Sequence, residues 1–196
     1  MKVIGITGGI GSGKSRILDY MEEKYSARIL KTDLAARKLQ EPGNICYKRI
    51  VDVFGKEILY EDGRIDRKKL GNLVFADMRK LKMLNEIVHP EVKAYVREEL
   101  RKAEREGVAL FLIESALLME DHYEEFCKEL WYIFVNREVR VQRLKDSRML
   151  SEGKIRQIMD SQTDEASYRS YCNVVIDNSG TFAETEEQIE KVIKRT

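Results

Sequence analysis

The chain has 196 residues, with 35 Lys and Arg against 34 Asp and Glu, for a formal net charge of +1. That length supports one domain with a sizeable core and room for a small subdomain, and the balanced charge carries no overall basic excess for nucleic acid. With 43% apolar residues, 35% charged residues and two prolines, the composition is that of a soluble, helix-rich globular protein, and no apolar run approaches the length of a membrane span.

The first predicted element is a strand at residues 3–7 (VIGIT), an almost continuous apolar run of the kind covered on both faces of a sheet. Residues 8–15, GGIGSGKS, follow at once, and a helical pattern runs over 14–23. Gly8, Gly13, Lys14 and Ser15 satisfy G-x-x-x-x-G-K-[ST] in the required context of strand before and helix after. Glycines let the backbone turn its N–H groups inward as an anion nest, and the helix start adds its positive dipole end. Lys14 would neutralise the β and γ phosphates, and the Ser15 hydroxyl would ligate Mg²⁺. The dinucleotide fingerprint fails in both registers, since it needs glycine at Lys14 or at Arg16. Mononucleotide binding follows; the reaction does not.

A second strand at 27–30 (ARIL) leads into KTDLAARKL. Asp33 then lies at a strand's carboxyl end, where open α/β sheets place ligands. A carboxylate there accepts the proton of an attacking hydroxyl, or it caps the helix predicted from Leu34 to Leu39; the pattern leaves both open. Residues 34 to 107 then contain no convincing strand. Helices are predicted at 45–54, 66–75, 81–87 and 90–105, separated by EPGN at 41–44 and YEDGR at 60–64. A crossover needs only about a dozen residues, so an inserted helical subdomain is the preferred reading over a long crossover packed on the sheet.

The third strand, VALFLI at 108–113, is followed by Glu114, an acidic residue placed to support Mg²⁺ through water. The fourth, LWYIFV at 130–135, precedes REVRVQRLKDSR at 137–148. Arg137, Arg140 and Arg143 share one side of a helix there, with Arg148 beyond; they form either a solvated basic face or a phosphate-clamping lid. VVI at 174–176 is the fifth strand. Strand and helix in alternation predict an α/β sandwich with a mostly parallel sheet. The cysteines Cys46, Cys127 and Cys172 are scattered and odd in number, so neither a disulfide framework nor a zinc site is expected and a reducing, cytoplasmic location is.

Taken in order, these pieces resemble the dephospho-coenzyme A kinases. The residues that carry the resemblance are GITGGIGSGKS, DLAAR at 33–37, FGKEILYEDGRIDRKKLGNLVF at 54–75, VHPEV around His89 and Pro90, ESALLME at 114–120, QRLKDSR at 142–148, Gln162, and VVIDNSG at 174–180. The glycine loop is common to many nucleotide enzymes; the middle block followed by His-Pro is far more specific. The resemblance implies a P-loop NTPase three-layer α/β/α sandwich with a mostly parallel five-stranded sheet. Its parts would be a core at about 1–33, 107–136 and 171–196, a helical CoA-binding insertion at about 34–106, and a small helical lid at about 137–170.

It also implies transfer of the ATP γ-phosphate to the ribose 3′-hydroxyl of dephospho-CoA, giving CoA and ADP, the last step of coenzyme A biosynthesis. Gly9, Gly11, Ser12, Gly13, Lys14, Ser15 and Arg16 would wrap the ATP phosphates. Asp33 would be the general base, with Lys14 and Arg143 the catalytic cations. Arg140, Arg148 and Asn178 would complete the ATP site, and Asp33, Arg37, Leu70 and His89 the acceptor site. Mg²⁺ would accompany ATP, held by Ser15 and, through water, by Glu114. The expected partners are ATP and dephospho-CoA, with no nucleic acid and no membrane, in a monomer or weak homo-oligomer.

The chain departs from the family pattern in several places. The usual D-x-D is Lys31–Thr32–Asp33, and in extended geometry residues two apart point the same way, which would set a cation beside the base and weaken it. Arg16 replaces a hydroxyl, the PLLFE element reads ALLME, and Cys172–Asn173 replaces Ala-Asp. The alternatives are a catalytically impaired CoA- or ATP-binding homologue, whose support is Lys31, or a P-loop kinase acting on another nucleotide or small alcohol. A switch GTPase lacks its guanine-reading N-K-x-D here. His89, taken alone, reads as a cap for the helix predicted to begin at Pro90.

Overall fold

The computed structural model describes residues 1–148 and 151–195, the Ser147 and Arg148 side chains excepted. Five strands form one sheet: β1 (Lys2–Thr7), β2 (Arg28–Lys31), β3 (Leu110–Glu114), β4 (Glu129–Phe134) and β5 (Val174–Asp177), in the order β2-β3-β1-β4-β5. The pairs β1–β3, β1–β4 and β4–β5 are all parallel. Each predicted strand is present, with ends shifted by one or two residues. The mixed order puts β1 at the centre, where its apolar run is buried from both faces.

The chain divides into two compact units, one made of residues 1–29 and 107–196, the other of residues 30–106. In the first unit, α1 (Lys14–Tyr25) and α9 (Phe182–Lys194) share a core with one face of the sheet. Alternation along the strands selects that face: Ile4 and Ile6, Leu110 and Leu112, Trp131 and Ile133 all point to it, and Ile17, Leu18 and Met21 of α1 meet them with Ile189 of α9. Gly5 faces the other way, and its missing Cβ leaves room for Leu118, Cys127 and Leu130. On that side Tyr132 stacks on Tyr168 with ring centroids 4.6 Å apart. Between β4 and β5 lie α6 (Arg137–Arg148), α7 (Glu152–Asp160) and α8 (Glu165–Tyr171). Leu144, Ile155 and Met159 give α6 and α7 a small core of their own.

The second unit is helical: α2 (Thr32–Leu39), α3 (Ile45–Phe54), α4 (Arg67–Phe75) and α5 (Met78–Arg105). Helices α2, α3 and α4 all pack on α5, burying Cys46, Ile50, Leu70, Val74, Val92 and Val96. Asp66 caps α4 by accepting from the Lys68 and Lys69 N–H groups, both at 3.0 Å. The two helices expected at 81–87 and 90–105 are one, with Pro90 inside it. A proline ring removes a single helical hydrogen bond, and the apolar stripe of Ile87, Val88, Val92 and Val96 continues across it into the same core. His89 is therefore a mid-helix residue, and the cap role considered for it does not apply.

The three cysteines are unpaired; burial pushes the thiols of Cys46, Cys127 and Cys172 up to about 11, 12 and 11. Among the described residues, no helix is long and apolar enough to cross a membrane.

Candidate active site

The glycine loop joins β1 to α1. Gly11 and Gly13 have φ of +80° and +83°, the left-handed region that side chains with a Cβ rarely adopt. Both are also tightly packed: a Cβ on Gly11 would lie 2.9 Å from Leu144 Cγ, and one on Gly13 would collide with Asn178 Nδ2. Gly13 caps α1 without a side-chain hydrogen bond, and the first turn holds no acidic residue. The helix thus presents its N–H groups and positive end uncompensated, as an anion site requires.

Lys14 Nζ donates to the carbonyls of Gly8 (2.6 Å) and Gly9 (3.3 Å), so the ammonium curls over the loop it serves. Ser12 is 2% exposed and its hydroxyl has no hydrogen-bond partner among the described residues. Ser15, one residue after Lys14, is exposed. Arg16 stacks its guanidinium 3.9 Å from the centre of the Phe182 ring. With Gly13, Arg143, Asn178 and Gly180 they bound a pocket of about 230 Å³ at the start of α1.

The elements after β4 fasten this loop. Arg140 Nε donates to the Ile10 carbonyl at 2.6 Å, its Nη2 donates to Gln162 Oε1, and the same oxygen accepts the Ile10 N–H at 3.2 Å. The Ile10 side chain packs against the Leu144–Ile155–Met159 cluster. Burial lowers the Arg140 pKa, yet the group remains a cation at neutral pH. Its guanidinium lies directly over Gly9, where a Cβ would collide with it. Arg143, one turn on, reaches toward Gly13. The Arg148 side chain lies outside the described residues.

Asn178 holds the loop from the other side. It is 4% exposed; its Nδ2 donates to the Ser12 carbonyl at 2.8 Å, and its Oδ1 accepts from Thr185 Oγ1 at 2.9 Å. Both ends of the amide are engaged within the protein, so Asn178 positions the phosphate loop. Sequence reasoning missed Thr185 and gave Gln162 no role. The partners of Gln162, Ile10 and Arg140, lie far from it in sequence, whereas Thr185 bonds Asn178 only seven residues away, where the D-N at the end of β5 was the visible signal. Glu114 ends β3 opposite Ile6 of β1, one residue before β1 gives way to the loop.

In the second unit, Asp33 stands in the first turn of α2, whose N-cap is Lys31. Asp33 is exposed and makes no side-chain hydrogen bond or ion pair among the described residues, so it is not a cap and its carboxylate is available. Lys31 is extended (φ −98°, ψ 113°) and Thr32 already helical. The two-residue alternation that would set Lys31 beside Asp33 therefore stops before Asp33. Arg37 is exposed one turn further along α2. Leu70 is 4% exposed and belongs to the packing of α4. His89 and Pro90 line a shallow hollow of about 380 Å³ along α5 with Met78, Leu81 and Asn85.

Residues 2–184 match the family model described as dephospho-CoA kinase. The dephospho-CoA kinase of Carboxydothermus hydrogenoformans is 35% identical over 195 residues, covering 100% of this chain and 94% of that protein. The crystal structure of TT1252 from Thermus thermophilus superposes with a TM-score of 0.81 at 30% identity, over 99% of this chain and 97% of that one. The dephospho-CoA kinase from Campylobacter jejuni gives a TM-score of 0.72 at 25% identity, over 99% and 96%. With the phosphate loop intact and the match running nearly end to end, the chain belongs to the dephospho-CoA kinase family.

Proposed function

We propose that the protein transfers the γ-phosphate of ATP to the ribose 3′-hydroxyl of dephospho-CoA, releasing CoA and ADP. The observation that carries this reading is the open, acid-free N-terminus of α1, with Lys14 folded over its loop, in a chain of this family. The backbone N–H groups from Gly9 to Ser15 and the Lys14 ammonium bind the β and γ phosphates. The purine side of the nucleotide enters the pocket of about 230 Å³ beside Arg16, Arg143 and Gly180. Asp33 orients the acceptor hydroxyl and takes its proton; in a loose phosphoryl transition state, orientation counts for more than basicity. Arg143 adds positive charge where the equatorial oxygens gain negative charge.

Mg²⁺ fits the oxygen donors of this chain. The Ser15 hydroxyl makes no hydrogen bond among the described residues, and Glu114 closes the neighbouring strand. No cluster of three His, Cys, Asp or Glu exists among the described residues, as suits an ion carried mainly by phosphate and water. When bound, it neutralises charge on the β and γ oxygens; Ser15 directly and Glu114 through water would hold it.

Residues 34–106 serve as the acceptor-binding part, with Arg37 and His89 contributing, and residues 137–170 as a lid. The test is incubation with Mg-ATP and dephospho-CoA, following CoA and ADP by mass. Equimolar CoA and ADP are expected. Dephospho-CoA bound without product would establish a binding protein instead, and comparable kcat/KM on simple alcohols a general kinase.

A further inference from the structure

One peptide sets the direction of the phosphate loop's first turn. Ser12 N–H donates to the Gly9 carbonyl at 3.2 Å, closing a four-residue turn over Gly9, Ile10, Gly11 and Ser12. Of its two central residues only Gly11 has a positive φ, +80°, the pattern of a type II turn. Types I and II differ in which way the central peptide faces, here the one between Ile10 and Gly11. A trans peptide points its C=O and N–H in opposite directions, and the chain has no cis bond. The partner of the Ile10 carbonyl therefore decides where the Gly11 N–H aims.

That partner is Arg140, whose Nε donates to the carbonyl at 2.6 Å. Arg140 is itself fixed, because its Nη2 donates to Gln162 Oε1, and the same oxygen accepts the Ile10 N–H at 3.2 Å. Both backbone polar groups of Ile10 are thus tied to side chains 130 and 152 residues further along the chain. The Gly11 N–H, by contrast, has no hydrogen-bond partner among the described residues. It faces away from Arg140, while the N–H groups on either side of it, those of Ile10 and Ser12, are engaged inside the protein. A brace between α6 and the loop would not need a guanidinium, since Ile10 already packs its side chain against Leu144, Ile155 and Met159. Arg140 is half-buried, its two acceptors are neutral, and it has no carboxylate partner among the described residues. Burying a cation in that way is costly, but only the planar fork of arginine reaches both acceptors in a fixed geometry.

We infer that Arg140 and Gln162 are positioning residues for the phosphate donor: they lock the peptide between Ile10 and Gly11 so that the Gly11 N–H meets a phosphate oxygen. They act through this peptide and not as phosphate ligands, which reassigns Arg140 from the ATP contact expected of it in the sequence. The inference rests on the nucleotide-binding half of the reading above and is independent of the acceptor. Its test is therefore binding and not turnover. A non-hydrolysable ATP analogue and inorganic tripolyphosphate are each titrated calorimetrically into the full chain and its variants.

Arg140→Ala is expected to weaken both ligands by about tenfold or more, the effect of turning one N–H away from a charged oxygen. Gln162→Leu keeps the cation and loses only the tie, and is expected to weaken both severalfold. Guanidinium chloride below denaturing concentrations, compared with equal sodium chloride, should restore much of the affinity of Arg140→Ala and leave the wild type unchanged. A brace that only stabilised the fold would lower the thermal midpoint and leave the affinity of the folded variants as it was; that result overturns the inference. So does a loss in Arg140→Ala that Gln162→Leu does not share, which would make Arg140 a phosphate ligand. If Arg140→Ala does not fold, Arg140→Lys and Gln162→Leu decide the matter. The lysine keeps the charge and gives up the fork, so it too should lose affinity severalfold, and wild-type binding by both overturns the inference. The stated losses in a protein that never forms CoA would overturn the kinase reading and leave the two positioning residues standing.

Discussion

Gly13 meets two independent demands, a φ of +83° and a Cβ position already filled by Asn178 Nδ2. Gly13→Ala must displace the amide that donates to Ser12 and accepts from Thr185, leaving buried polar groups unpaired beside a strained backbone. The expected loss is about 2–4 kcal/mol of stability, the sum of strain and broken hydrogen bonds, together with loss of measurable ATP binding. Urea unfolding and nucleotide titration of the same variant check both; a stable variant that still binds ATP would remove Asn178 from its positioning role. Asp33 is the opposite case, exposed and unpartnered. Asp33→Asn should leave the thermal midpoint nearly unchanged, as surface changes stay within about 0.5 kcal/mol, and lower kcat by about 10²–10⁴-fold with ATP affinity intact. An unchanged kcat would show that Asp33 is not the base. Lys31, which looked in the sequence like a threat to that base, loses the argument for its proximity once the backbone turns helical at Thr32.

Elements were legible where one physical signal dominated. The strands were visible because nearly continuous apolar runs suit a sheet covered on both faces, and the phosphate loop because its spacing is dictated by backbone geometry. Pro90 misled the helix count: a local rule says stop, but Val92 and Val96 bury on the same core as Ile87, and tertiary packing outweighs one missing hydrogen bond. The Arg140–Gln162–Ile10 tether and the Arg67–Arg37 tie had no local signature, since each joins a side chain to a backbone group far away in the chain. Contacts between elements also set the pH response. Glu190 of α9 accepts from Lys24 of α1, and with Lys194 this holds its carboxyl at about 2, below its ordinary 4.5. A depressed acid stabilises the fold above its unfolded value and loses that contribution as pH falls toward the folded one. The α1–α9 contact should therefore weaken between pH 4.5 and about 2, and Glu190→Gln should flatten the dependence of the thermal midpoint on pH in that window. The pair is solvent-exposed, so added salt should shrink the difference. An identical pH profile in the variant would mean that the acid response arises elsewhere.

At the scale of the whole molecule, the proposed function gives nucleotide and acceptor to different compact units, residues 1–29 with 107–196 for the first and residues 30–106 for the second. Each ligand should then leave its own footprint on backbone amide exchange. A non-hydrolysable ATP analogue caps N–H groups of the glycine loop directly and adds to the ties that Arg140, Gln162 and Asn178 already make to it. Slowed exchange is expected at residues 9–15 and in α6. Dephospho-CoA alone should slow exchange in α2 and around the start of α4, where Arg37, Gln40 and Arg67 meet. At a ligand concentration one hundred times Kd, stabilisation of the bound state is about 2.7 kcal/mol, a roughly hundredfold slowing for amides that open only in the free protein. Such a change stands well clear of ordinary scatter. If dephospho-CoA protected only the glycine loop, the second unit would lose its acceptor role. If the ATP analogue protected α2 as strongly as residues 9–15, the division of labour between the two units would be wrong, whatever the reaction catalysed.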